Sequence, residues 1–517
     1  MIRSFLTVSS GTLASRLLGF VRDSLVAALL GAGPVADAFL VAFQLVNVVR
    51  RLLTEGALNA ALVPAWLRIR ETGSAAAAAA FAGRLLGTIS AALIAATALI
   101  GLLMPLVVTA LAPGFVGTAT LQLAVSDARL MLPYLAFAGP VTVLMALMNA
   151  QGRFALTAFS PLLFNIALIA VTIALLTWRQ GAGLNALVLA ATVGLAGLLQ
   201  LSILLMRRGD GVATPLRIAF DAGMRKFFAK AIPGMIASSG PQLLMVAGAI
   251  IASAATSAVS WLYFANRLVE LPLGLVGVAM STVLIPQLSR AVHDEDASAI
   301  AQAESRGLEL AIALALPATL GLLVLGAPIV RALFEHGAFT ATDTAATARA
   351  LMWLALGLPA HALFKSLAPA FFARDNTTTP LVAVLKGLVL ATAACFLFGH
   401  LFGPEGIAAG IALGAWSSAL SLSREAAAIF GFSLDAAARR RLPRIIVAAL
   451  AMGGLLWLAA RQTPVEGLHG LAQAAVLLSL ITGGIALYGL LLRLFGVIRW
   501  REAVNAIRLN PPSGLRD

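Results

Sequence analysis

The chain has 517 residues, 60% of them hydrophobic and only 11% charged, with a mean hydropathy of +0.96. A soluble protein of this length would need far more charge to cover its surface, so the composition excludes one and specifies an all-α polytopic membrane protein. The net charge of +14 does not mark a nucleic-acid binder, because the basic residues sit between apolar runs, where they set topology.

A transmembrane helix needs about 20 apolar residues. On that basis fourteen helices are expected near 8–31, 35–63, 80–110, 121–150, 156–178, 184–206, 225–253, 257–287, 304–330, 343–372, 380–401, 405–428, 443–461 and 470–495. Arg16 and Arg22 interrupt any signal-peptide core at the start, so this segment reads as retained. The connections are too short to hold a soluble domain. Alternate connections carry the arginines: Arg68 and Arg70, Arg153, Arg207 and Arg208, Arg290, Arg374, then Arg439, Arg440, Arg441 and Arg444. The positive-inside rule places that set, and both termini, in the cytoplasm. The single Cys395 lies inside an apolar run and excludes a disulfide framework.

The chain repeats itself. PLVVTALAPGF from Pro105 resembles PIVRALFEHGAF from Pro328, and Pro64 and Pro140 correspond to Pro286 and Pro359, at offsets of 219 to 223 residues. Helices one to six therefore recur as seven to twelve. Six is even, so the copies share orientation and predict two lobes related by a pseudo-twofold axis along the membrane normal, a transporter plan. The expected divisions are an N-lobe over 1–215, a C-lobe over 216–435, and two extra helices with a cytoplasmic tail over 436–517.

Charge inside spans is expensive, about 2.5–3.5 kcal/mol near the bilayer centre on insertion scales, and marks polar cavities. Helix one carries Arg16, Arg22 and Asp23. Arg16 and Asp23 are seven apart and share a face, whereas Arg22 points elsewhere unless Gly19 bends the helix. Helix two carries Asp37, Gln44, Asn47, Arg51 and Glu55 at spacings of four and seven, a narrow polar stripe, with Arg50 about 100° round from it. Helix eight carries Arg267 and Glu270, three apart. The rivals are snorkelling of Arg50, Arg51 and Glu55 to the cytoplasmic headgroups, self-neutralisation of Arg16 with Asp23, and a purely structural Arg267–Glu270 bridge. Arginine outnumbers acid, and a guanidinium suits bidentate phosphate contact. The expected feature is thus a cationic cavity for an anion, with Lys365 and Lys386 either adding charge or snorkelling. Asp127 and Arg129 read as caps at the outer end of helix four, and Asn149 and Asn165 as interhelical bridges. No Walker loop, metal cluster or catalytic carboxylate pair is present in the sequence, so no cofactor and no enzyme activity are expected.

SRLLGFVRD, GAGPVADAFLVAFQLVNVVRRLLTEGAL, VPAW, LAPGF, WLYFANRLVELPLG, LFEHGAFTATD and LAPAFFARDNTTTP together resemble the MurJ (MviN) family of lipid II flippases, in the multidrug/oligosaccharidyl-lipid/polysaccharide exporter superfamily, over nearly the whole length. The resemblance implies flipping of undecaprenyl-diphosphate-linked peptidoglycan precursor, lipid II, from the cytoplasmic to the periplasmic leaflet of the bacterial inner membrane by alternating access. It implies that Arg16, Arg22, Arg50 and Arg267 engage the diphosphate, and that Asp23, Asp37 and Glu55 are the accompanying acids. Helices thirteen and fourteen then form a groove for the lipid tail. The partners implied are lipid II, membrane lipids and other cell-wall synthesis proteins, with the chain working as a monomer. Three departures stand out: Gln44 where many relatives have Lys, Asn266 where they have Asp, and Gly248 in QLLMVAGAIIAS where some carry a sodium ligand. The last argues against sodium and leaves membrane potential or protons as the drive. The alternatives are a flippase for another polyprenyl-linked glycan and a multidrug or cation antiporter of the same superfamily.

Overall fold

The structure, a computed structural model, describes residues 2–54, 57–178, 180–206, 213, 216–219, 221–280, 284, 287–288, 290–291, 294, 296–463 and 470–497. Its first half runs α1 (Ile2–Leu30), α2 (Pro34–Thr54), α3 (Ala57–Thr72), α4 (Ala75–Leu102), α5 (Met104–Leu111), α6 (Ala119–Met131), α7 (Pro133–Ala150), α8 (Phe154–Trp178) and α9 (Ala182–Met206). The second half runs α10 (Ala222–Ser238), α11 (Gly240–Ala252), α12 (Ala258–Ala279), α13 (Ala297–Phe334), α14 (Ala341–Leu356), α15 (Leu358–Ala373) and α16 (Thr378–Phe430), followed by α17 (Ala436–Gln462) and α18 (Gly470–Leu494). Helix starts carry side-chain acceptors for backbone N–H groups that a helix leaves unpaired. Ser74 Oγ accepts from Ala77 N at 3.1 Å, Asp221 Oδ1 from Met224 N at 2.8 Å, and Asp435 Oδ1 from Ala438 N at 2.6 Å.

Among the described residues ten segments are long and apolar enough to span a membrane, and α10 with α11, bent by 60°, makes an eleventh. The charged α1 and α2, of 29 and 21 residues, also have spanning length, and α16 holds two passes. With these additions the structure is consistent with the fourteen expected helices. Proline position explains the breaks. A single span is divided at Leu132, just before Pro133, and another at Gly357, just before Leu358–Pro359. Proline lacks the N–H that would continue the preceding turn but fits a helix start. The same break thus recurs in both copies of the repeat.

The 53 residues of α16 turn at Gly403, whose φ of 63° and ψ of −144° are non-helical. Only glycine adopts such angles at low cost. Its two arms pack through small residues four apart. A Cβ on Gly410 would strike the Cys395 backbone, one on Gly414 the Ala391 side chain, and one on Gly387 the Ser418 hydroxyl. In lipid, where apolar burial between helices drives little, such close backbone approach supplies the packing.

The chain forms two compact units, Met1–Leu268 with Leu333–Leu354 and Asp375–Ser418, and Val269–Ala332 with Ala355–Arg374 and Ala419–Asp517. In the first, α1 packs on α8, α2 on α6, and α7 lies between α4 and α9; Leu62, Trp66, Leu85, Leu144 and Leu147 form a core there. In the second, Leu325 of α13 packs with Leu456 of α17 and Leu477 of α18, and Tyr488 Oη donates to Ala313 O at 2.9 Å. The two helices outside the repeat therefore rest on α13. Large apolar side chains such as Leu102, Val389, Phe396 and Leu471 point outward, as a lipid-facing surface requires.

Candidate functional site

Three spans of the first unit meet at Asp23. Arg22 and Asp23 are neighbours on α1, and adjacent helical residues ordinarily diverge. Here the Arg22 guanidinium folds back, and its Nε and NH2 donate to Asp23 Oδ1 at 2.9 and 2.6 Å. Arg267 of α12 approaches the other oxygen, with Nε 2.5 Å from Oδ2, and Tyr263 Oη donates to Oδ1 at 3.3 Å. One carboxylate thus sits between two guanidiniums. Arg22 and Asp23 are only 6% and 2% exposed, so these charges interact far more strongly than surface ions would.

Packing fixes the geometry. Arg22 NH1 donates to Asn165 Oδ1 at 3.0 Å, and Asn165 Nδ2 donates to Ser15 O at 3.0 Å, so the α8 amide ties both to α1. The guanidinium lies against Phe43 and Phe164, 5.1 and 5.6 Å from the ring centres, within cation–π range. A Cβ on Gly19 would stand 2.6 Å from Arg267 NH2, so the α12 arginine crosses α1 where α1 has no side chain. Glycine at this position provides clearance.

Asp37 takes a different role from the stripe expected on α2. It is 1% exposed and accepts from Ser257 N at 2.7 Å, Ser260 N at 2.9 Å and Ser260 Oγ at 2.5 Å. Ser257 N and Ser260 N are backbone donors at the start of α12, so Asp37 caps that helix from another span and meets its positive dipole end. Ser257 has a φ of 68°, left-handed backbone that a non-glycine residue adopts at a cost of about 1–2 kcal/mol; the Asp37 bond helps hold it there. On the next turn Trp261 Nε1 donates to Asp343 Oδ1 at 3.0 Å. Asp343 Oδ2 in turn accepts from Thr340 N and Oγ1, while Asp343 N donates to Thr340 Oγ1, a reciprocal capping box at the start of α14.

Of the other expected residues, Arg50 donates to Asn47 Oδ1 through Nε and NH2 at 3.2 and 3.0 Å, one turn away. Arg51 is half-buried beside Arg50, Arg16 is exposed on α1 two turns before Asp23, and Glu270 is half-buried on α12 three residues beyond Arg267. Glu55 lies outside the described residues. Lys386 is exposed on α16, and Lys365 Nζ comes within 3.6 Å of where a Gly277 Cβ would stand. Gly248 packs α11 tightly on the second arm of α16, since a Cβ would meet Ile411. That close approach is a packing reason for glycine at this position.

The sequence reading passed over Tyr263, Trp261, Ser260, Asp343 and Thr340. Thr340-x-x-Asp343 is a legible capping box; the others gave no periodic signal, because their partners lie on distant segments. Asp127, read as a cap, sits inside α6 rather than at its start and is 2% exposed. Asn149 joins α7 to α8 by accepting from Thr157 Oγ1 at 2.6 Å.

The family described as "Lipid II flippase MurJ" matches residues 26–476. A probable lipid II flippase MurJ of Rhizobium meliloti (strain 1021) is 35% identical, covering 94% of this chain and 92% of the relative. A lipid II flippase MurJ of Burkholderia cenocepacia is 32% identical, covering 94% and 96%. Among solved structures, an inward closed lipid II flippase MurJ superposes with a TM-score of 0.76 at 21% identity, covering 96% of this chain and 99% of that one. An inward-facing multidrug resistance MATE transporter gives 0.65 at 14% identity, covering 89% and 99%. These two share the fold, and the family match with relatives above 30% over nearly the full length fixes the membership: the chain belongs to the lipid II flippase MurJ family.

Proposed function

We propose that this chain moves lipid II from the cytoplasmic to the periplasmic leaflet of the inner membrane by alternating access, with the diphosphate held by Arg16, Arg22, Arg50 and Arg267. The observation that carries this reading is the buried Arg22–Asp23–Arg267 cluster, two cations on one anion. A net positive site away from bulk water favours an anion and disfavours the organic cations an antiporter exports. Asp23 presets both guanidiniums, and guanidinium geometry matches phosphate oxygens in pairs. Arg51, Glu55 and Glu270 complete the proposed set of substrate residues, and Asp37 supports it by capping the start of α12, the helix that carries Tyr263 and Arg267. The repeat-based lobes, 1–215 and 216–435, rock about this site, while 436–517 holds the lipid tail. Both termini face the cytoplasm, the protein works as a monomer, and membrane potential or protons drive the cycle. Lipid II is the partner to be bound, alongside membrane lipids and other cell-wall synthesis proteins.

The test is depletion in the native cell, followed by a probe of which leaflet exposes lipid II. Lipid II confined to the cytoplasmic face is expected, and unchanged periplasmic access refutes the reading. Arg22→Ala and Arg267→Ala should each fail to restore access while still reaching the membrane. Another polyprenyl-linked glycan remains the second reading, since its diphosphate would present the same charge; vesicles loaded with each lipid separate the two.

A further inference from the structure

One buried acid in the first unit's spans, Asp127, has neither an ion pair nor a donor to its Oδ2 among the described residues. Asp127 lies in the third turn of α6, nine residues into a 13-residue helix, and is 2% exposed. Among the described residues nothing donates a hydrogen bond to its Oδ2, and it takes part in none of the ion pairs. On its own helix Ala124, Ala128 and Met131 are fully buried around it, and Arg129, two residues on, is exposed.

The packed neighbours supply no counter-charge. α6 rests on α2, α9, α5, α7 and the 3-10 turn Pro113–Phe115. Of these α9, α5 and the turn carry no Asp, Glu, Lys, Arg or His. The titratable group of α7 is Tyr134, whose Oη donates to Gln200 Oε1 at 3.4 Å. On α2 the ionisable groups are Asp37, Arg50 and Arg51. Asp37 is committed to α12, and neither arginine forms an ion pair with Asp127 among the described residues. α9 packs closely on α6, since a Cβ on Gly194 would strike Leu130 O.

A carboxylate in such surroundings cannot be kept as an unpaired anion, because burial without a partner penalises the charged form heavily. A metal cation would need several oxygen ligands, and no described group of three His, Cys, Asp or Glu residues could hold one. A proton needs only the carboxylate itself. We propose that Asp127 is a proton-binding site, carried as the neutral acid in this conformation and exchanging its proton when the cycle opens α6 to water. The step is simple association, carboxylate plus proton giving carboxylic acid, with no redox partner. It rests on the transport reading above in that the exchange would couple proton entry to lipid export.

Two measurements on the full chain in lipid vesicles separate its failure from that of the transport reading. Infrared difference spectroscopy at neutral pH, which needs no substrate, should show a protonated-carboxyl carbonyl band that disappears in Asp127→Asn. A spectrum unchanged by that substitution overturns the proposal, whatever the vesicles do with lipid. In flipping assays an imposed proton gradient should speed wild type several-fold and leave Asp127→Asn at its ungraded rate. Equal acceleration of both overturns the coupling.

Discussion

Asp23→Ala puts the shared carboxylate to a quantitative test. The substitution removes two bonds to Arg22 at 2.6 and 2.9 Å, the Tyr263 bond and the Arg267 pair at 2.5 Å. It leaves two guanidiniums at a position where the lost side chain is 2% exposed. Removing one partner of a buried ion pair costs about 3–5 kcal/mol, mostly from the charge left behind. Arg267→Ala alone breaks the same pair but leaves Asp23 still bonded to Arg22, so it should cost less, about 1.5–3 kcal/mol for a charge-assisted bond. In the double variant the Arg267 charge is removed together with Asp23, so the combined loss should not exceed that of Asp23→Ala alone. The cycle should therefore return an interaction energy of about 2 kcal/mol. Unfolding midpoints in detergent for the wild type, the two single variants and the double variant measure it. Additivity within about 0.5 kcal/mol, the value for independent sites, refutes the idea that one carboxylate organises both arginines.

The other predictions follow from single contacts. Asp37→Ala strips the acceptor from three donors at the start of α12 and should cost about 1–2 kcal/mol, the upper range for a lost cap. Asp37→Asn keeps an acceptor oxygen and should cost less; equal losses by thermal unfolding would show that charge, not capping, is what matters. Gly19→Ala places a Cβ 2.6 Å from Arg267 NH2, so it should reduce lipid II access in complementation at normal membrane abundance. Wild-type flipping by that variant would mean the arginine has slack. Gly414→Leu drives a side chain into Ala391 across the α16 hairpin and should destabilise by about 1–3 kcal/mol, as overpacking does. An unchanged unfolding midpoint would refute close packing of the two arms.

How much of this was legible in the sequence depends on the range of the signal. Hydropathy marked the spans, and the breaks at Leu132 and Gly357 fall in expected helices four and ten, consistent with the repeat read from the proline offsets. Arg22, Asp23 and Arg267 were singled out as charges in apolar runs, which is a local property. Their mutual arrangement was not local. Helical periodicity sent Arg22 away from Asp23, yet a long side chain can curl back along its own helix, and Asn165 and two aromatic rings hold it there. The stripe on α2 was read as one face with one role, whereas Asp37 is consumed by a helix terminus 220 residues away in sequence. No periodic pattern on α2 encodes that partner.

A carboxylate between two arginines would be an inert structural bridge if its charge balanced theirs. At Asp23 one carboxylate meets two guanidiniums, and Arg22 there is 6% exposed. Removing Asp23 would raise the positive charge further but lose the placement, since flexible arginines would have to be ordered at the moment of binding. Keeping it fixes both guanidiniums in advance, through Nε and NH2 of Arg22 and Nε of Arg267, at the expense of some attraction. On the proposed reading of this cluster as the diphosphate site, moderate attraction with firm placement is the better compromise for a substrate that must be bound and then released, because unopposed charges would retain it. On this argument Asp23→Asn should bind lipid II more tightly yet flip it more slowly.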